Sequence, residues 1–129
     1  LCTPKGVFKF KNVFYRADRV KKPKSILPTY KIRRNMGWCD DIKSKDYNTL
    51  IKISSNVKHE KLFLKNNSYN IIIVINFNTN PIKRGKGSAI FLHLLNRAIS
   101  FTKGCIALSR KDILFFLKHV KKNSRLKII

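Results

Sequence analysis

Residues 71–95 read IIIVINFNTNPIKRGKGSAIFLHLL, and their pattern decides the fold class. Residues 71–77 carry β-branched and apolar side chains on both alternating faces, which predicts a central strand covered on both sides. NTNP at 78–81 and RGKG at 84–87 supply turn chemistry on either side of Ile82. Residues 88–95 then predict a second strand buried on both faces, with His93 near its end. Two fully buried neighbouring strands require layers above and below them, so the chain reads as mainly β with at least one packed helix.

The flanking segments extend this reading. Residues 7–16 alternate apolar and basic side chains around Lys11 and Asn12, as two short strands joined by a turn would. Residues 21–28 are basic, and Pro23 and Pro28 argue for an irregular loop. Residues 35–47 are polar with a glycine and several aspartates, which predicts a long loop. Residues 50–53 fit a short strand or a helical turn. Ser109 with Asp112 three positions on forms a capping-box-like start. The helix that follows puts Ile113, Phe116, Leu117 and Val120 on one face, and its basic end at 118–122 complements the helix dipole.

With 129 residues the chain is long enough for one domain with a real core. Its 43% apolar content is ordinary for a globular protein and argues against disorder. The longest aliphatic run, 71–75, is far shorter than the ~20 residues of a membrane span. A net charge of +23 attracts polyanions, whether nucleic acid, anionic wall polymer or lipid surface. The basic residues are scattered, however, with short clusters only at Lys21–Lys22, Arg33–Arg34 and Lys121–Lys122. Abundant Lys, Asn, Ile and Phe also fit a compositional bias, so no specific nucleic-acid surface is expected. A basic nucleic-acid-binding module without catalysis is the competing class; it would need exposed aromatics among the basic residues.

Cys2, Cys39 and Cys105 are odd in number and form no disulfide framework. The chain has no CxxC and no HExxH, so neither metal nor cofactor is expected. Two of the segments suit thiol chemistry instead. GSAIFLH at 87–93 is a glycine turn leading into a strand that carries His93, and TKGCIAL at 102–108 sets Cys105 after Gly104. A thiol attacks a carbonyl as thiolate, and a nearby imidazole is the usual way to generate one. Strand ends joined by one loop bring such a pair together, and the amides of Gly104 and Cys105 then suit an oxyanion hole. Each residue alone also fits a bland role: Cys105 as a small buried hydrophobe and His93 as a satisfied core histidine.

Further fragments accompany these two. They are TPKGVF at 3–8, MGWCDD at 36–41, YN at 47–48 and HEKL at 59–62. In this order and spacing the chain resembles the L,D-transpeptidase (YkuD-type) catalytic domain, in the subgroup with GWCDD and SAIFLH…TxGC motifs. The common family pattern reads Ser/Thr-His-Gly-Cys, a small apolar residue, then Arg or Asn. This chain has Lys103 where that histidine stands and Ala107 where the Arg or Asn stands, and its His93-to-Cys105 gap is shorter. Nucleophile and base therefore carry over, and the substrate-positioning polar residues do not.

The resemblance implies a mixed β-sandwich catalytic domain spanning 1–129 whose family counterparts have one or two strands before the TPxGxF stretch. It implies acyl transfer on peptidoglycan stem peptides through a Cys105 thioester, in the bacterial cell envelope or periplasm. His93 would be the base, and the Leu94 carbonyl would hold its tautomer. Thr102, Lys103 and Arg110 are the substrate-binding candidates, although basic residues at these positions are equally at home solvated. A carboxypeptidase or amidase acting on wall peptides is the alternative within enzymes. His59 with Glu60 imitates a His–carboxylate pair, but neighbours on a strand point to opposite faces. Asp40 and Asp41 read as turn and capping residues, and Trp38 as a cover for the core edge.

Overall fold

The computed structural model describes residues 3–54, 56–96 and 105–129. Within them the chain runs β1 (Gly6–Tyr15), β2 (Thr29–Lys31), β3 (Met36–Cys39), β4 (Leu50–Lys52), β5 (His59–Lys61), β6 (Ile71–Ile75), β7 (Phe91–Leu94), β8 (Ile106–Leu108), α1 (Arg110–His119) and β9 (Arg125–Ile128). The larger sheet has the order β2-β1-β6-β7-β8, with β9 also pairing to β1; a smaller sheet has the order β4-β3-β5. Among the described residues the fold is thus mainly β with one helix.

β6 is the strand that organises the rest. Ile71, Ile72 and Ile73 are fully buried, and such side chains contribute about 2 kcal/mol each on burial. Alternation splits them between two cores. Ile71, Ile73 and Ile75 join Leu92, Leu94, and Ile113 and Leu117 of α1 on one face. Ile72 and Val74 join Phe14, Trp38, Leu62, Tyr69, Phe91 and Cys105 on the other, under the smaller sheet. The helix therefore covers one face and leaves the opposite face to the candidate site. Its start is as the sequence predicts, with the Asp112 amide donating to Ser109 Oγ at 3.1 Å.

Three expectations need correction. Residues 7–15 are not a hairpin but part of one strand, β1, with an irregularity between Phe10 and Asn12, and Arg16 lies just beyond it. The extra residue is absorbed as a bulge, which lets the first half pair with β9 and the second with β6. Residues 36–39, expected in a loop, form β3, the central strand of the smaller sheet. The polar residues that masked it begin only at Asp40, while Trp38 and Cys39 are buried. The strand expected at 88–95 forms its ladder only over Phe91–Leu94, because Ala89 sits at φ +55° and breaks the extended path. β2 emerges from a segment with no alternation of its own, held parallel to β1 from Val13 to Tyr15.

Candidate active site

Strand register brings Cys105 and His93 to one face. β7 pairs in parallel with β8, Leu92 opposite Ile106 and His93 opposite Ala107. One step back, Cys105 falls beside Phe91, and the Phe91 amide donates to Cys105 Sγ at 3.4 Å. Residues two apart on a strand share a face, so His93 lies on the Phe91 side, where its ring meets Tyr69 edge-on at 5.5 Å between centroids. Tyr69, Phe91 and Cys105 belong to one buried cluster. The thiol itself donates to the Ala89 carbonyl, with Sγ 3.1 Å from the oxygen.

His93 Nδ1 lies 2.9 Å from the carbonyl oxygen of Leu94. A carbonyl only accepts, so Nδ1 carries the proton and the neutral ring keeps Nε2 as the basic nitrogen. Burial pushes the His93 imidazole below its ordinary range, and the Leu94 carbonyl partly opposes that shift. Burial also pushes the Cys105 thiol up to about 11. Desolvation disfavours the charged form of both groups, so the resting pair is a neutral thiol and a neutral imidazole.

The strand entry is fixed by residues distant in sequence. Asn48 is buried at φ +58°, a conformation asparagine tolerates better than most side chains. Its Oδ1 accepts from Trp38 Nε1 at 2.9 Å and from the Ala89 amide at 3.3 Å. Its Nδ2 donates to the carbonyls of Phe77 and Asn78 at 3.0 and 2.8 Å. Tyr47 beside it accepts from the Gly87 amide at 3.1 Å. Gly87, at φ +124°, passes so close to Phe77 that a Cβ would meet the ring at 2.7 Å, which is why a glycine feeds this strand. Together these bonds hold Ala89, the acceptor of the thiol proton.

A carboxylate completes the surroundings. Tyr69 Oη donates to Glu60 Oε1 at 2.5 Å, and Tyr69 packs in the same buried cluster as Cys105. Burial, with the nearby Glu60 carboxylate next, raises the Tyr69 phenol well above its ordinary range.

The remaining candidates fall as follows. Arg110 opens α1 and is exposed. Thr102, Lys103 and Gly104 lie outside the described residues, as does the oxyanion contribution expected of Gly104. Asp41 caps a turn, accepting from the amides of Lys43 and Lys58 at 3.0 and 3.1 Å. His59 Nδ1 meets the Val57 carbonyl at 2.8 Å. Among the described residues no group of three or more His, Cys, Asp or Glu side chains is arranged to hold a metal ion, and no helix is long and apolar enough to cross a membrane. Sequence reasoning gave Asn48, Glu60, Tyr69 and Ala89 no role at the site. Asn48 and Glu60 stand inside the YN and HEKL fragments that carried the resemblance, which was the available signal; Tyr69 had none.

The family model of the L,D-transpeptidase catalytic domain (YkuD) matches residues 1–128. No curated protein and no solved structure matches the chain.

Proposed function

The chain belongs to the L,D-transpeptidase (YkuD) catalytic-domain family, and from that premise we propose that it is a cysteine acyltransferase acting on peptidoglycan stem peptides, with Cys105 as nucleophile and His93 as base. Its general function, of L,D-transpeptidase type in peptidoglycan metabolism, follows from the family. The observation that carries the finer reading is the common buried face of Cys105 and His93, set by the β7–β8 register. The Leu94 carbonyl supports it by leaving Nε2 of His93 free of a proton.

In this reading the thiol proton leaves the Ala89 carbonyl and passes to His93 Nε2. Sγ then forms a bond to the carbonyl carbon of the diamino acid that precedes a terminal D-residue. The oxyanion collapses, the C–N bond breaks, and the imidazolium gives its proton to the departing D-amino acid. The resulting thioester is attacked by an acceptor amine, whose proton His93 removes, and the thiol is restored as the new amide leaves. Splitting one difficult step into two is the benefit of the covalent route. Water in place of the amine gives the hydrolytic outcome.

Residues 1–129 act as one domain in this account, and the cell envelope is where such a substrate is found. The exposed helix start at Arg110, with Thr102 and Lys103, would meet the polar parts of the peptide. The test is product analysis by mass spectrometry after incubation with purified stem peptides. Conversion by the wild type and none by a folded Cys105→Ala protein is expected; undiminished conversion by Cys105→Ala overturns the assignment.

A further inference from the structure

A cleft of about 320 Å³ opens at the β2 edge of the larger sheet, large enough for a small ligand. Lys31 of β2 lines it with Arg33 and Arg34 from the segment that follows, and Ala17, Ile32 and Phe63 give it an apolar lining. In the order β2-β1-β6-β7, three strand spacings set β2 roughly 14 Å from the strand that carries His93. A ligand in the cleft need not touch the thiol.

The chain that bears these cations is tied down. The Ile32 amide donates to the Tyr15 carbonyl at 2.8 Å, and the Met36 amide to the Arg33 carbonyl at 3.1 Å. Met36 Sδ in turn accepts from the Arg33 amide at 3.0 Å. The Phe63 ring is shared by two guanidinium groups, Arg16 at 3.5 Å and Arg34 at 5.0 Å from its centroid. Asp18 also lines the cleft, but Arg16 holds both of its oxygens at 2.8 Å. Among the described residues no carboxylate pairs with Lys31, Arg33 or Arg34. Two like charges thus rest on one ring, and only one of them is neutralised.

We infer that this cleft binds a phosphate-bearing anion with at least two negative charges, of which a diphosphate is the simplest. Three cations face it, so a single carboxylate would leave most of their charge unopposed. Two adjacent guanidinium groups offer planar donor forks that match phosphate oxygens, and Lys31 adds a point charge. The other short basic clusters, Lys21–Lys22 and Lys121–Lys122, carry ammonium groups alone. Binding forms no covalent bond and does not depend on the assignment of Cys105. The same chemistry is offered by a phosphate of a lipid headgroup and by a free phosphate compound.

Isothermal titration calorimetry of the full chain with sodium pyrophosphate tests this at about 0.15 M salt, where diffuse surface attraction is largely screened. Arg33→Gln combined with Arg34→Gln is expected to weaken binding at least about tenfold, the loss of one charge-assisted hydrogen bond or more. Lys121→Gln with Lys122→Gln removes the same charge from another exposed site and should change affinity less than about twofold. Citrate, a tricarboxylate, should bind the wild type more weakly than pyrophosphate. Equal losses in the two double variants would mean diffuse attraction and overturn the site, as would citrate binding as tightly as pyrophosphate. Should the glutamine pair fail to fold, Arg33→Lys with Arg34→Lys decides, since it keeps the charge and loses the forks. Weaker pyrophosphate binding then supports the site, and unchanged affinity overturns it. Sedimentation with phosphatidylcholine vesicles containing phosphatidic acid separates the sources. Retention that the glutamine pair abolishes points to a lipid headgroup, and pyrophosphate binding without retention to a free phosphate. A DNA oligonucleotide that binds through Arg33 and Arg34 while pyrophosphate does not would contradict the assignment.

Discussion

The Cys105 thiol donates to the main-chain carbonyl of Ala89, with 3.1 Å between Sγ and the oxygen. A thiolate has no proton to give that carbonyl and would be repelled by it. The contact therefore belongs to the protonated resting state, in agreement with a thiol that burial has pushed up to about 11. Ala89 is in turn held at φ +55° by the Asn48 bond to its amide, so a strained strand entry determines where the nucleophile rests.

The first prediction concerns pH. With the thiol at about 11 and the His93 imidazole lowered, no thiolate–imidazolium pair exists at rest near neutrality. Alkylation at Cys105 should rise about tenfold for each step of one in pH from 7 to 10. The sign for stability follows: the thiol rises on folding from its ordinary 9.0 to about 11. Its contribution is thus full below pH 9.0 and lost as pH climbs toward the folded value. An alkylation rate that is flat between about pH 5 and 8 would instead indicate a preformed ion pair.

Asn48 is expected to be sensitive to both charge and truncation. Asn48→Ala removes the partners of Trp38 Nε1, the Ala89 amide and two carbonyls, and should cost about 3 kcal/mol. Asn48→Asp keeps the acceptor but sets a carboxylate oxygen against the Phe77 and Asn78 carbonyls, and should cost at least as much. Urea denaturation measures both; a loss below about 1 kcal/mol in each would mean that Asn48 does not brace the strand.

Arg16 takes no part in the proposed chemistry and should matter for stability alone. It is 3% exposed, grips Asp18 with two 2.8 Å bonds, donates to the Leu64 carbonyl at 2.6 Å and stacks on Phe63 at 3.5 Å. Its hydrogen bonds hold the Asp18 carboxyl down to about 2. Arg16→Ala should cost about 2–4 kcal/mol through the orphaned carbonyl and lost packing. Arg16→Lys should recover only part of this, because an ammonium cannot reproduce the bidentate fork. Equal stability of the lysine variant and the wild type would contradict this account.

Cys39 is fully buried in β3 and should resist alkylation in the folded protein. Cys39→Ala should cost about 1–2 kcal/mol as a small cavity and leave Cys105 labelling unchanged. Loss of activity in Cys39→Ala at unaltered stability would give this thiol a part in the chemistry.

Legibility in the sequence tracked locality. β6 was readable as an uninterrupted β-branched run bounded by turn residues, and α1 because its apolar residues repeat at the helical period. β3 was not, because four residues of a short central strand run straight into the polar Asp40 and Asp41. β1 was divided at Lys11 because a bulge and a turn leave the same mark in one strand's pattern, and only the partners β6 and β9 distinguish them. At the site, Cys105 and His93 stood in adjacent segments with recognisable neighbours. Tyr69 joins the buried cluster of the thiol, Glu60 bonds to Tyr69, and Asn48 braces the strand entry, and no spacing along the chain records these long-range contacts.

The measurement that bears most directly on the central claim is intact-protein mass spectrometry during reaction with a stem peptide ending in a D-residue, followed by peptide mapping. The account predicts a transient adduct on Cys105 equal in mass to the peptide acyl group without its terminal D-amino acid, labile to hydroxylamine as a thioester is, and absent from Cys105→Ala. Product formation with the adduct on another residue, or with undiminished turnover in a folded Cys105→Ala protein, would contradict it.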